Sequence, residues 1–237
     1  MMRRHAAAML AMTATGLGPG LALGGCAGKA RGGAATTPAP SATAEAEAET
    51  FGAADWRRVA TPADRERMRR WRDAWVAGLA AVPRTTAREV AAQGVLFDPD
   101  AALPGAVPPA GDYRCRVFKL GRRGGAGAGS AGPGYVAYAW FACRVGAARA
   151  DGTMPLVKLT GSQRYVGTLY PQDGRRAAFL GTLVLGDEVR TIDYGRSAER
   201  DIAGWVDRVG TARWRLAMPY PAFESVLDVM ELVPAGG

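Results

Sequence analysis

The sequence contains a single histidine, His5, among 237 residues. This histidine lies in an N-terminal segment with the pattern of a cleaved export signal, so we expect the mature chain to hold none. A chain without histidine cannot build a Ser-His-Asp triad, a Cys-His pair or a histidine metal site. We therefore expect no metal and no cofactor. The chemistry left to the chain is that of carboxylate, tyrosine, lysine, serine and arginine side chains.

Cysteine is also scarce, and the first of only three, Cys26, follows the export signal. Residues 1–5 carry positive charge and residues 6–23 are uncharged, which is the layout of a secretory signal peptide. The ending Leu23-Gly24-Gly25-Cys26 resembles a lipobox. The sequence thus predicts a lipoprotein signal peptide over 1–25 and a lipid on Cys26. The alternatives are an ordinary signal peptide and a retained transmembrane helix.

Large apolar side chains are missing from the next segment, which runs from Cys26 to residue 50. Beyond Cys26 it has no Leu, Ile, Val, Met or aromatic residue, and all 6 Trp, 7 Tyr and 6 Phe come later in the chain. Such a segment buries too little apolar surface to offset the entropy of ordering. We expect a flexible tether over 26–50. Since Ala27 rather than aspartate follows the cysteine, the protein is expected in the periplasm, anchored to the outer membrane.

The first part of the remaining chain has a helical pattern. Thr61 is suited to cap a helix that has Pro62 at its first position, and Pro83 ends the pattern. Apolar residues recur at helical spacing along it, namely Met68, Trp71, Trp75, Leu79 and Val82. A second short helix is predicted from Thr86 to Gln93. We assign 51–110 to a helical N-terminal segment with an irregular connector.

From residue 111 onward the pattern changes to short strands separated by turns. The predicted strands are 112–120, 135–145, 154–160, 163–170, 176–185, 189–194, 202–209, 212–218 and 226–233. Short strands at regular spacing, without helices between them, indicate an antiparallel barrel or sandwich. Mid-strand glycines at 167, 181 and 204 favour the strong coiling of a small barrel. The expected fold is α+β and mainly β, with a lipocalin-like antiparallel β-barrel over 111–237 and the N-terminal helix packed on it. A β-sandwich is the alternative.

The other two cysteines, Cys115 and Cys143, lie on neighbouring predicted strands. If they face each other directly, the hairpin centre falls at residue 129, inside the Gly-rich segment 121–134. Both side chains then share a face with Tyr113 and Val117. In an oxidising periplasm this arrangement predicts a disulfide. Two free buried thiols are the alternative.

Carboxylates are the remaining candidates for catalysis. Glu199 and Asp201 lie in the polar stretch 194–201, and Glu224-Ser225 and Asp228 follow near the C-terminus. A pair of carboxyl groups hydrolyses glycosidic bonds when one acts as the acid and the other as base or nucleophile. Cell-wall glycan hydrolysis by these residues is thus one hypothesis. The other interpretation is a surface network of salt bridges.

Lysine is rare as well, because only Lys29, Lys119 and Lys158 stand beside 27 arginines, and the net charge is +8. Arginine matches phosphate and carboxylate groups in geometry. We take Arg164, Arg196 and Arg200 as candidate anion-binding residues. The expected partners are the membrane through the lipid anchor and an envelope lipid, peptidoglycan or an envelope protein. Nucleic acid does not belong to this compartment.

Several short motifs together resemble one family. They are Gly111-Asp112-Tyr113-Arg114-Cys115-Arg116, Thr160-Gly161-Ser162-Gln163-Arg164, Phe179-Leu180-Gly181-Thr182-Leu183, Arg200-Asp201-Ile202-Ala203-Gly204, Arg213-Trp214-Arg215-Leu216 and Glu224-Ser225-Val226-Leu227-Asp228-Val229. The set resembles an uncharacterised family of exported proteobacterial proteins, domain-of-unknown-function family four-eight-nine-three, from Trp56 to Pro234. The resemblance implies no activity and no catalytic residues.

The function expected from the sequence is therefore binding rather than catalysis. We expect a non-enzymatic binding or structural module for an apolar or anionic envelope ligand or a protein partner. The alternatives are the carboxylate-based glycan hydrolase and a periplasmic protease inhibitor, the latter on a fold-level similarity to small barrel inhibitors.

Overall fold

The computed structural model describes residues 54–122 and 134–236. The predicted signal peptide, Cys26 and the tether lie outside these residues. Four α-helices precede the sheet in the described chain, namely α1 (Trp56–Val59), α2 (Pro62–Arg69), α3 (Trp71–Ala80) and α4 (Ala87–Ala91). Two 3₁₀ turns, Arg84–Thr86 and Gly94–Phe97, flank α4. No helix of the described chain is long and apolar enough to cross a membrane.

The predicted helix start is confirmed. The Thr61 side chain accepts a hydrogen bond from the Asp64 backbone N–H at 3.1 Å, and Pro62 is the first helical residue. The single predicted helix is divided at Arg70, whose backbone (φ −90°, ψ 20°) leaves the helical region and separates α2 from α3. Met68 and Trp75 of the apolar row are nevertheless both buried, so the two helices cover the sheet with the predicted face.

In the described ranges, nine strands form one antiparallel sheet. They are β1 (Gly111–Leu120), β2 (Tyr135–Ala137), β3 (Phe141–Val145), β4 (Met154–Lys158), β5 (Gln163–Pro171), β6 (Arg176–Leu185), β7 (Asp201–Gly210), β8 (Arg213–Pro219) and β9 (Leu227–Pro234). Strands β2 and β3 pair with different halves of the same edge of β1, so together they fill one strand position. The other edge of β1 pairs with β9, which closes the sheet. The architecture is a closed eight-stranded β-barrel, and the β-sandwich alternative is wrong.

Two predicted strands differ from the structure. Residues 138–140 interrupt the predicted strand 135–145, and residues 189–194 form no strand. The second difference arises because Glu188 folds back after β6. Its carboxylate accepts the backbone N–H of Leu185 at 2.7 Å and pairs with Arg200 at 2.9 Å. The chain therefore continues as a loop, in which Val189 is 97% exposed.

The barrel interior is packed with side chains. Predicted inward residues such as Phe179, Leu183 and Leu216 belong to one buried cluster with the two cysteines. A second cluster lies outside the barrel, between the helices and the sheet, and includes Trp75 and Phe118. The fold is thus a filled barrel with a helical layer on its outer surface.

The predicted disulfide is present between Cys115 and Cys143, but its strand register differs from the prediction. Cys143 lies opposite Tyr113 and Cys115 opposite Phe141, so the two cysteines are diagonal neighbours. Their Cα atoms are 5.9 Å apart, within the range that a disulfide spans. The twist of the strand pair brings one diagonal closer than the flat sheet would.

Gly167 and Gly181 face each other across β5 and β6. A Cβ at Gly181 would lie 2.5 Å from the Val166 carbonyl oxygen and 2.7 Å from the Phe179 ring, and the ring sits as close to Gly167. The two glycines therefore allow the strands and the Phe179 ring to approach inside the barrel. This close approach explains two of the three mid-strand glycines that the sequence pattern singled out.

Replacing Gly181 with alanine is expected to lower the free energy of unfolding by about 2–3 kcal/mol, because a backbone oxygen cannot move aside without distorting the ladder. Urea unfolding followed by tryptophan fluorescence measures the change. Gly174→Ala is the matched control: its Cβ would meet no atom within 4 Å, and we expect a change under about 0.5 kcal/mol. Equal stability of the two variants would contradict the packing argument.

Candidate functional site

The inward rows of the barrel turn polar at one end. Lys119 continues the row of Tyr113, Cys115 and Val117 on β1, and Asp228 begins the row of Met230 and Leu232 on β9. A cavity of about 280 Å³ opens there. We name it the mouth cavity, and it is lined by Val117, Lys119, Tyr138, Phe141, Lys158, Ser162, Gln163, Tyr165 and Glu224.

Within the mouth cavity, Lys119 lies between the carboxylates of Glu224 and Asp228. Its ammonium is 2.8 Å from Glu224 Oε2 and 3.4 Å from Asp228 Oδ2. Asp228 also accepts hydrogen bonds from the Tyr165 hydroxyl at 3.3 Å and from Ser225. Lys119 and Asp228 are buried, whereas the Glu224 side chain is 54% exposed. The group is a buried ion pair with one outer carboxylate.

The pKa shifts of this group reflect burial and charge. Burial raises the pKa of Asp228 above its usual value, against the opposing effects of Lys119 and Ser225. Burial by itself lowers the pKa of Lys119, but the Asp228 and Glu224 carboxylates outweigh it and raise that pKa. Lys119 is therefore a permanent cation of the mouth cavity at neutral pH.

Lys158 is the second cation and has different surroundings. It is buried, donates to the carbonyl oxygens of Thr160 and Gln163 at 2.7 Å each, and lies 3.6 Å from the centre of the Phe141 ring. Burial, with a smaller contribution from Arg164, lowers the pKa of Lys158 to about 8. The mouth cavity thus combines a firmly charged lysine with one that titrates close to neutrality.

The rarity of lysine makes this difference measurable. In the ¹⁵N-lysine NMR spectrum of the protein we expect the Lys158 ammonium to titrate with a midpoint near pH 8. We expect the pKa of the Lys119 ammonium to lie above the ordinary lysine value. The ordinary lysine pKa is 10.5. Between pH 8 and 10.5 Lys158 is therefore protonated in the unfolded chain but mostly neutral in the folded protein. Below pH 8 the buried, charged Lys158 ammonium lowers the free energy of unfolding by its full amount. Between pH 8 and 10.5 this destabilisation decreases, so the free energy of unfolding rises with pH. Lys158→Arg identifies the signal; a Lys158 midpoint above 10 would contradict the assignment.

The three carboxylates predicted from the sequence do not come together. Glu224 lines the mouth cavity, but Asp201 lines a separate cavity of about 480 Å³ between the start of α2 and the loop before β7. Asp201 is buried, burial raises its pKa, and it accepts the Gly195 backbone N–H at 2.8 Å. Glu199 is exposed on the same loop. The carboxylate that accompanies Glu224 is Asp228, which the sequence also places near it.

The predicted anion-binding arginines also occupy different places. Arg164 donates to the carbonyl oxygens of Leu185, Gly186 and Glu188, and Arg200 pairs with the Glu188 carboxylate. Both therefore brace the loop after β6. Arg196 is exposed and lines the cavity that contains Asp201. Their role towards anions stays a prediction.

The cavity beside α2 contains a tightly bonded carboxylate. Asp64 is fully buried and accepts hydrogen bonds from Thr61 Oγ1 at 2.9 Å, from the Tyr194 hydroxyl at 2.5 Å and from Arg67. Burial, and then the bond to Asp64, raises the pKa of Tyr194. These contacts connect α2 to the loop before β7, so a structural role explains the buried carboxylate of Asp64. Within the described ranges, no three His, Cys, Asp or Glu side chains form a group that could hold a metal ion.

Comparison with known proteins places the chain in a family. The model of a domain of unknown function, DUF4893, matches residues 56–232. No curated protein and no solved structure matches the chain. The match spans the helices and nearly all of the barrel, and the chain belongs to the DUF4893 family.

Proposed function

We propose that this DUF4893 protein is a periplasmic lipoprotein anchored to the outer membrane through Cys26. The signal pattern of residues 1–25 and the lipobox-like sequence support the anchor. The Cys115–Cys143 disulfide supports an oxidising compartment.

Mass spectrometry of the protein isolated from its own membranes tests this proposal. We expect a mature N-terminus at Cys26 that carries diacylglycerol, and we expect Cys26→Ala to release the protein from the membrane fraction. An unmodified N-terminus downstream of Cys26 would overturn the proposal.

We further propose that the barrel is a non-enzymatic binding module whose ligand occupies the mouth cavity. One observation carries the proposal: apolar side chains pack the middle of the barrel, whereas at this end aromatic, amide and charged groups surround an open space. Sites for small molecules combine apolar walls with a few polar groups that orient the ligand. The size and polarity of the cavity favour a small polar or anionic envelope ligand over a long apolar one.

Native mass spectrometry of the membrane-extracted protein is the primary experiment, because a co-purifying molecule identifies the ligand class. Tyr138→Ala is expected to weaken binding of that molecule at least about tenfold, which corresponds to about 1.4 kcal/mol. Trp140→Ala is the matched control. Both rings are similarly exposed, at 40% and 39%, but Trp140 does not line the cavity and contacts Arg114 and Arg116 instead. Equal effects of the two variants would overturn the placement of the ligand.

A glycan hydrolase is the second candidate, because Glu224 and Asp228 contact the same ammonium. Two carboxyl groups close together are the requirement for that chemistry. Asp228 is nevertheless buried and bonded to Tyr165 and Ser225, which leaves Glu224 as the one carboxylate that reaches solvent. Zymography on peptidoglycan is expected to give no clearing. Clearing by the wild type that Glu224→Gln abolishes would favour the hydrolase.

A further inference from the structure

The turn between β8 and β9 holds Glu224 in an unusual backbone conformation. Glu224 has φ 68° and Tyr220 has φ 48°, both in the left-handed region that glycine prefers. A non-glycine residue is strained there and occurs where the surroundings impose it. Phe223, the residue before Glu224, is 41% exposed. A hydrogen bond from the Ser225 backbone N–H to the Phe223 carbonyl oxygen at 2.8 Å closes the turn around Glu224, and Ser225 itself is buried.

The side chain of Glu224 forms an ion pair with Lys119. Charge-assisted bonds between ammonium and carboxylate are typically about 2.7–2.9 Å long. The Glu224 contact at 2.8 Å falls in that range, whereas the Asp228 contact at 3.4 Å is longer. The Asp228 oxygens are also shared with Tyr165 and Ser225. The closest anion to the buried ammonium is thus supplied by a half-exposed side chain at the cavity entrance.

We propose that Glu224 occupies the position of a ligand carboxylate, and that the mouth cavity binds its ligand through a carboxylate that displaces Glu224 from Lys119. The inference rests on the proposed binding function and names the chemical class of its ligand. Exchange of one carboxylate for another keeps the buried ammonium paired, so it avoids the large cost of an unpaired buried charge.

The rest of the cavity fits the body of such a ligand. Gln163 and Ser162 offer amide and hydroxyl groups for hydrogen bonds, and Tyr138 and Phe141 offer aromatic surface. The space of about 280 Å³ is suited to a molecule of roughly the size of one sugar residue. We therefore expect a carboxylate on a compact, hydrogen-bonding body, as in an acidic sugar.

The test compares N-acetylmuramic acid with N-acetylglucosamine, which lacks its carboxylate, by isothermal titration calorimetry on the full mature chain. Because Glu224 competes with the ligand, Glu224→Gln is expected to bind the acidic sugar about tenfold more tightly than the wild type does. Glu199→Gln is the matched control, since it removes the same charge from an exposed position outside the mouth cavity. It is expected to leave the affinity unchanged, and the neutral sugar is expected to bind weakly to all three proteins.

The outcomes separate the two proposals. An unchanged or weaker affinity in Glu224→Gln, or an equal gain in Glu199→Gln, would overturn the displacement and leave the binding module standing. Equal binding of the neutral and acidic sugars would overturn the carboxylate class. If native mass spectrometry finds no bound molecule and neither sugar binds any variant, both the binding function and this inference fail. Lys119→Gln, checked for folding by circular dichroism, is expected to abolish the preference for the acidic sugar.

Discussion

Arg215→Met is expected to lower the free energy of unfolding by about 3–5 kcal/mol, the largest effect of any single substitution considered for this protein. Arg215 lies on the outer face of β8 and is fully buried beneath the helical layer. Its guanidinium donates to the carbonyl oxygens of Leu96, Asp98 and Ala101, and to the Asp207 carboxylate at 2.9 Å. Methionine fills a similar volume but leaves these carbonyls and a buried carboxylate without their donor.

Arg213→Met provides the control for this prediction. Arg213 lies on the same face of β8, but its side chain is 27% exposed and pairs with Glu231, which Arg116 also contacts. We expect a loss of about 1 kcal/mol there, as for partly exposed ion pairs. Arg215→Lys is expected to be destabilised nearly as much as Arg215→Met, because a single ammonium cannot reach several carbonyls at once. A chemical unfolding midpoint for Arg215→Met close to that of Arg213→Met would contradict the prediction.

Much of the barrel was predictable because its inner face follows a simple rule. Side chains alternate in a strand, so Trp214, Leu216 and Met218 had to share one face, and the structure places them in the interior cluster. Thr61 and Pro62 likewise mark a helix start through local hydrogen bonding and backbone geometry alone. Such features depend on near neighbours in the chain. For this reason one sequence was enough to predict them.

The outer face of the barrel was harder to predict. By alternation Arg215 should face water, and it is buried only because the chain after α4 crosses over it. Asp228 is grouped with Glu224 in the sequence, but its partners Lys119 and Tyr165 lie on distant strands. Contacts between residues more than 60 positions apart leave no periodic signal. The candidate site depends on these contacts, so its composition was only partly predictable.

Reduction of the Cys115–Cys143 disulfide is expected to lower the free energy of unfolding by about 3–4 kcal/mol. The cross-link joins residues 28 apart in sequence, and the loop-entropy model gives this magnitude for a loop of that length. Both sulfur-bearing residues are buried in the interior cluster, so the reduced protein retains their packing. The difference between oxidised and reduced wild-type protein therefore measures the effect of the cross-link on the unfolded chain.

Urea unfolding of the protein with and without a reductant makes this measurement, and thiol titration of the unfolded, unreduced protein is expected to find no reactive group at these two positions. The Cys115→Ala/Cys143→Ala double variant is expected to be slightly less stable than the reduced wild type, since it also loses two buried sulfur atoms. If its stability matches that of the oxidised protein, the cross-link contributes nothing.

The prediction also bears on the compartment, because a domain that needs this bond for 3–4 kcal/mol of its stability folds best where the bond can form. Since β1 carries both Cys115 and Lys119 and β3 carries Cys143 and Phe141, the same bond joins two strands that line the mouth cavity.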